Sequence, residues 1–198
     1  MELRPIHKKE SNTLKKLAPV FIGLFIIAIM VLSVLDLNKN NEDEASYNGY
    51  EFTRANGLWV TYINDQRLQL KYLPQDLENI SADISYGNLL LAEKIYFSFD
   101  PENQALFPPA NEFLGKKNLI GIAQQLTLAC PYDNNACKSQ NLPVKSCSDA
   151  NDKTSVILME YSNSTSIIME SNCLRISGTQ EGITKVIEKL ILKRFGII

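Results

Sequence analysis

The sequence predicts an α+β fold: a mainly antiparallel sheet in the order βββ-β-α-ββ-α, with two helices on one face, preceded by a single transmembrane helix. Three observations carry this. Residues 17–35 form an uncharged apolar run, residues 50–73 alternate polar and apolar positions between turn dipeptides, and the C-terminus repeats apolar residues at helical spacing.

The apolar run, LAPVFIGLFIIAIMVLSVL, holds nineteen positions. At about 1.5 Å per residue it spans roughly 28 Å, close to the ~30 Å hydrocarbon core of a bilayer. Pro19 falls in its first turn, where a missing N–H costs little. Residues 1–16 carry Arg4, Lys8, Lys9, Lys15 and Lys16 against Glu2 and Glu10, a net +3, whereas the other flank opens on Asp36, Glu42, Asp43 and Glu44. Positive charge stays on the cytoplasmic side, so residues 1–16 read as a cytoplasmic tail, 17–35 as a signal anchor in the lipid bilayer, and the remaining 163 residues as extracytoplasmic. A cleaved signal peptide is the rival reading. Its apolar core is shorter, about 7–15 residues, and ends in small residues, whereas this run ends Ser33-Val34-Leu35.

Residues 36–48 are polar and Asn-rich and read as a stalk; 49–198 then read as one extracytoplasmic domain. Residues 36–198 hold 15 Lys/Arg and 20 Asp/Glu, a net −5, which gives no footprint for nucleic acid.

YEFTR, LWVTYI and RLQLKYL predict a three-stranded meander, turning at Asn56-Gly57 and Asn64-Asp65, dipeptides that tolerate positive φ. PQDLENISADISYGN reads as a connection, and KIYFSF as the next strand, with Ile95, Phe97 and Phe99 on one side. A helix is expected from about Asn111 to Ala129, weakened by Gly115 and Gly121. TSVILMEYS and TSIIMESNCLRI predict a hairpin about Asn163-Ser164. From Thr179 to Phe195, Ile183, Val186, Ile187, Leu190 and Ile191 mark an amphipathic helix, with Thr179 as N-cap and Gly196 closing it. Its basic residues cluster at one end, which suits docking on the sheet better than lying along a membrane.

Catalytic sets are easier to exclude than to find. The only histidine is His7, in the expected cytoplasmic tail, so the outer segment offers no Ser-His-Asp or Cys-His pair and no histidine ligand for a metal. No glycine-rich phosphate loop or nucleophile elbow appears, and no cofactor is expected. Asp100, Glu102, Glu160 and Glu170 leave room for a carboxylate-dependent hydrolase, though no spacing selects a pair. Asp149, Asn151 and Asp152 open like a calcium loop, but Lys153 stands where an oxygen ligand is needed. Asn79-Ile80-Ser81 and Asn163-Ser164-Thr165 match the N-glycosylation acceptor. With 18 Asn and 23 Ser/Thr in the chain, two matches are the chance expectation; Asn163 is the better placed, in a predicted turn.

Four cysteines, Cys130, Cys137, Cys147 and Cys173, follow the anchor. The gaps between them are too wide for a zinc knuckle or a dithiol redox motif, and the number is even in a compartment that permits oxidation. Two structural disulfides are expected. Four cysteines allow three pairings; the predicted hairpin brings Cys173 near Thr154 and within reach of Cys147, which favours Cys147–Cys173 and leaves Cys130–Cys137.

The stretches PQDLENI and KIYFSFDPE, the run Cys130, Cys137, Cys147, then NCLRISG and the ending KLILKRFGII resemble a family of small exported archaeal proteins. The likeness covers about residues 47–198 and implies one N-terminal membrane segment, a single outer domain and a cell-surface location. It supplies no catalytic residue. The expectation is a membrane-anchored structural or interaction protein of the cell envelope, docking an envelope protein partner. An accessory subunit of a secretion or pilus-like assembly is the runner-up, and the carboxylate hydrolase the third reading.

Overall fold

The structure is a computed structural model describing residues 19, 22–30, 44–81 and 87–198. Residues 22–30 are helical. Nine of the nineteen residues of the predicted anchor and all of the cytoplasmic tail lie outside the described residues, among which no helix is long and apolar enough to cross a membrane. The chain divides into two compact units, 1–43 and 44–198. The second unit therefore begins five residues earlier than the stalk reading placed it.

That unit is α+β, with two sheets rather than one. The first is an antiparallel meander of four strands, β1 (Glu44–Tyr47), β2 (Tyr50–Ala55), β3 (Leu58–Ile63) and β4 (Gln66–Leu70), in that order. Each turn is a dipeptide with both residues at positive φ: Asn48-Gly49, Asn56-Gly57 and Asn64-Asp65. Such turns match the right-handed strand twist, which is why short polar dipeptides suffice. β1 arises from EASY, which reads as stalk because it carries no apolar run; pairing with β2 recruits it. β4 stops at Leu70 because the next two amides, of Lys71 and Tyr72, donate to the Glu188 carboxylate instead of to a strand.

A 3-10 turn (Pro74–Leu77) and a short helix α1 (Gly87–Leu91) lead to the second sheet. It contains β5 (Lys94–Phe99), β6 (Leu126–Ala129), β7 (Thr154–Tyr161), β8 (Ser166–Glu170) and β9 (Cys173–Gly178), in spatial order β6-β5-β7-β9-β8. The β5/β6, β5/β7 and β7/β9 pairs are parallel; only β8/β9 is antiparallel. The antiparallel expectation holds for the first sheet and is corrected for the second, which is mixed. Parallel strands buried on both faces read as near-continuous apolar runs, and VILM in β7 and IYFSF in β5 are such runs.

The helix after β5 is α2 (Phe107–Ile120), not 111–129. Pro108 and Pro109 sit in its first turn, where proline is tolerated, and Gly121 ends it with φ +98°. Residues 126–129, expected as its last turn, form β6. Nor is Asn163-Ser164 a hairpin turn: β7 pairs with β9, and the hairpin joins β8 to β9 through Ser171 at φ +51°. The segment beyond residue 165 is two strands, too short to be told apart by period alone.

Helix α4 (Gln180–Arg194) starts as expected, with the Thr179 hydroxyl accepting from Gly182 N, and closes through Gly196 N to Lys193 O and Ile197 N to Leu192 O. α2 and α4 cover one face of the second sheet. Phe97, Phe99, Ile157, Met159, Leu174 and Ile176 meet Phe113, Ile183, Val186, Ile187, Leu190 and Ile191 there. Phe52, Ile63, Leu68 and Leu70 bring the meander into the same core. The opposite face is covered by the segment from Cys130 to Lys153, which contains only a five-residue helix α3 (Asn135–Ser139) and a 3-10 turn (Cys147–Asp149). Tyr96, Val156 and Leu158 pack beneath it with Cys147 and Cys173.

A cleft at the carboxyl ends of the parallel strands

The chain leaves β5 toward β6 and leaves β7 toward β8 and β9, on opposite sides. Neighbouring parallel strands whose connections diverge leave a crevice beyond their carboxyl ends, the usual ligand position in such sheets. A cleft of about 590 Å³ lies at that point. Asp100 and Asn103 follow β5, Pro131 and Tyr132 follow β6, and Leu158 to Tyr161 end β7; Arg175 of β9 and Ser146 to Ser148 complete the lining.

Asp100 holds this rim together. Its Oδ1 accepts from Asn134 Nδ2 at 2.8 Å and from Glu102 N at 2.9 Å, and its Oδ2 accepts from the Tyr132 hydroxyl at 2.6 Å. That short bond to a carboxylate, with burial behind it, holds the Tyr132 phenol above its ordinary titration range. Glu102 accepts from Ala136 N, and the Asn134 side chain accepts from Cys137 N as N-cap of α3. Both acids thereby fasten the cysteine segment to the end of β5.

Glu160 and Arg175 sit side by side, Oε2 to Nη1 at 3.6 Å. The Arg175 Nε is buried and has no hydrogen-bond partner among the described residues. Of the four carboxylates singled out from sequence, Asp100 and Glu160 reach the same cleft, Glu102 braces the loop, and Glu170 ends β8 away from it. Sequence reasoning missed Tyr132, Tyr161 and Arg175. Only the parallel topology, with β5 and β7 adjacent, would have pointed to them.

Cys130 is bonded to Cys137 and Cys147 to Cys173. Cys147 of the second bridge lines the cleft, and its partner Cys173 lies beside Val156 across a parallel pair, not across a hairpin. Asp149 caps its own 3-10 turn by accepting from Ser146 N, and this bond, with the Lys145 ammonium at 3.1 Å, holds its carboxyl below the ordinary range. Asn151 Oδ1 accepts from Lys153 N and Thr154 N. The sequence that opens like a calcium loop is a hydrogen-bonded turn. Asn79 and Asn163 are both exposed.

A second recess, of about 380 Å³, lies between β4, α2 and α4. Glu188 is fully buried there, and accepts from Lys71 N at 2.8 Å and Tyr72 N at 3.0 Å. Glu112 accepts from Lys71 Nζ, Lys116 Nζ and the Thr184 hydroxyl. Each charge has its partner, so the cluster ties three elements together and presents no free group for chemistry. No protein-family model matches the chain, and no curated protein or solved structure is significantly similar to it.

Proposed function

We propose that the chain is a membrane-anchored, extracytoplasmic interaction protein of the cell envelope, held in the bilayer by residues 17–35 with its N-terminus inside. The observation that carries this reading is the pair of closed disulfides in the unit that follows a nineteen-residue apolar run with a positively charged N-terminal flank. Disulfides persist in oxidising compartments and are rare in reducing ones.

Binding suits the cleft better than hydrolysis. Asp100 accepts three hydrogen bonds within the protein and Glu160 faces Arg175, so neither acid is left free to shuttle a proton. A membrane-impermeant thiol reagent applied to intact cells tests the topology. The cysteines are expected to label only after a reductant has been added outside. Labelling without reductant, or none until the cells are lysed, sinks the proposal.

A further inference from the structure

We infer that the cleft beyond β5 and β7 binds a neutral saccharide. Three features of the lining select that class. Charge comes first: Arg175 lies beside Glu160, and Asp100 lines the same cleft, so an anion meets two carboxylates and a cation meets a guanidinium. A hydroxyl both donates and accepts. Glu160 Oε2 and Arg175 Nη1, 3.6 Å apart, offer an acceptor beside a donor, the pair that two neighbouring hydroxyls of a sugar ring require.

Aromatic surface comes second. Tyr132 is 53% exposed and Tyr161 50% exposed, although both line the cleft. Open tyrosine rings in a cleft of mixed polar and apolar lining suit the C–H faces of sugar rings, which are apolar while their edges are polar. The Tyr132 ring is fixed for this purpose by its bond to Asp100, so little ordering remains to be lost on binding. Size comes third. At about 590 Å³ the cleft falls within the ~300–1,000 Å³ of small-molecule sites, with room for a short oligosaccharide.

The site rests on the cleft alone; the proposed function adds only that envelope glycans are what the domain would meet. The test is saturation-transfer NMR on the full chain in a detergent without a sugar headgroup. Maltotriose, cellotriose, mannotriose and tri-N-acetylchitotriose are the neutral probes; sialyllactose and adenosine are the controls. Transfer to at least one neutral trisaccharide is expected. Its affinity should fall about tenfold in Tyr161→Ala and in Arg175→Gln, and hold in Tyr161→Phe, which keeps the ring. Transfer to none of the neutral sugars, or to a control alone, overturns the inference. So does binding that survives both substitutions. A domain that binds a trisaccharide yet proves cytoplasmic in the thiol assay would sink the envelope reading and leave the saccharide site standing.

Discussion

One sheet carries two unlike covers. Against one face lie α2 and α4, whose Phe113, Ile183, Val186, Ile187, Leu190 and Ile191 are fully buried or nearly so. Against the other lies the segment 130–153, which contributes little apolar area of its own; Cys147 and Ala150 are only partly buried over Tyr96, Val156 and Leu158. The helices hold themselves to the sheet by burial at about 25 cal/mol per Å². The cysteine segment cannot, so covalent bonds and hydrogen bonds replace area. Ser98 Oγ donates to Lys145 O at 2.6 Å, Asp100 gathers Tyr132 and Asn134, and two disulfides close the segment on itself and onto β9. The lesson concerns where a binding cleft can be built. The cover leaves a cleft at the strand ends, and cross-links and hydrogen bonds keep its rim in place.

The helix side should suffer the larger loss from a single change. Leu190 is fully buried in α4, and Leu190→Ala removes its methyl groups from the core. A cost of about 2–5 kcal/mol is expected. Urea unfolding under oxidising conditions measures it. A loss below 1 kcal/mol would mean that the helix cover is not the main source of stability.

On the loop side, Cys147→Ser with Cys173→Ser removes the longer bridge, which joins residues 26 apart. By restriction of the unfolded chain alone, that bridge contributes about 3.5 kcal/mol and the Cys130–Cys137 bridge, 7 residues apart, about 2.5 kcal/mol. The double variant should unfold at lower urea, and reductant should shift the wild type further still. Leu190→Ala should respond to reductant as the wild type does, since the two covers are separate. Reductant-insensitive stability would refute the contrast.

How much of this was legible in the sequence follows from the same contrast. The meander announced itself through Asn56-Gly57 and Asn64-Asp65 because one-sided strands alternate, and α4 through its apolar period and Thr179. The second sheet did not. Residues of β5 and β7 are buried on both faces, so Tyr96, Ser98, Val156 and Leu158 erase the alternation that would have set them apart from a hairpin. Parallel pairing also depends on contacts between segments far apart, such as Lys94 with Thr154, that no local pattern encodes. A hairpin register, which does not exist, predicts the Cys147–Cys173 bridge; the bridge forms with Cys173 beside Val156 in the parallel register of β7 and β9. The cleft was invisible for the same reason. Asp100 and Glu160 are ordinary surface acids until β5 and β7 stand side by side.

The smallest effect sharpens the comparison from the helix side, whose cover holds one buried charge. Burial pushes the Glu188 carboxyl above its ordinary 4.5, against the lowering pull of the Lys71 and Tyr72 amides and of Lys116. Burial would raise Glu112 as well, but the Lys116 and Lys71 ammonium groups outweigh it and hold that carboxyl below 4.5. The two act on opposite sides of that value. For Glu188 the folded state binds the proton more tightly, so stability present below 4.5 is lost as pH rises through its raised value. For Glu112 the stability present above 4.5 is lost as pH falls through its lowered value. The pair therefore gives a stability maximum near the ordinary carboxyl value. In Glu188→Gln the decline on the high-pH side should disappear, while the acid limb, to which Glu112, Asp149 and Glu181 contribute, remains. Urea midpoints measured from pH 3 to 8 decide this, and a high-pH slope unchanged in Glu188→Gln would remove Glu188 as its source. Reductant should leave the slope unaltered, because the charge lies under the helices and not under the cross-linked segment.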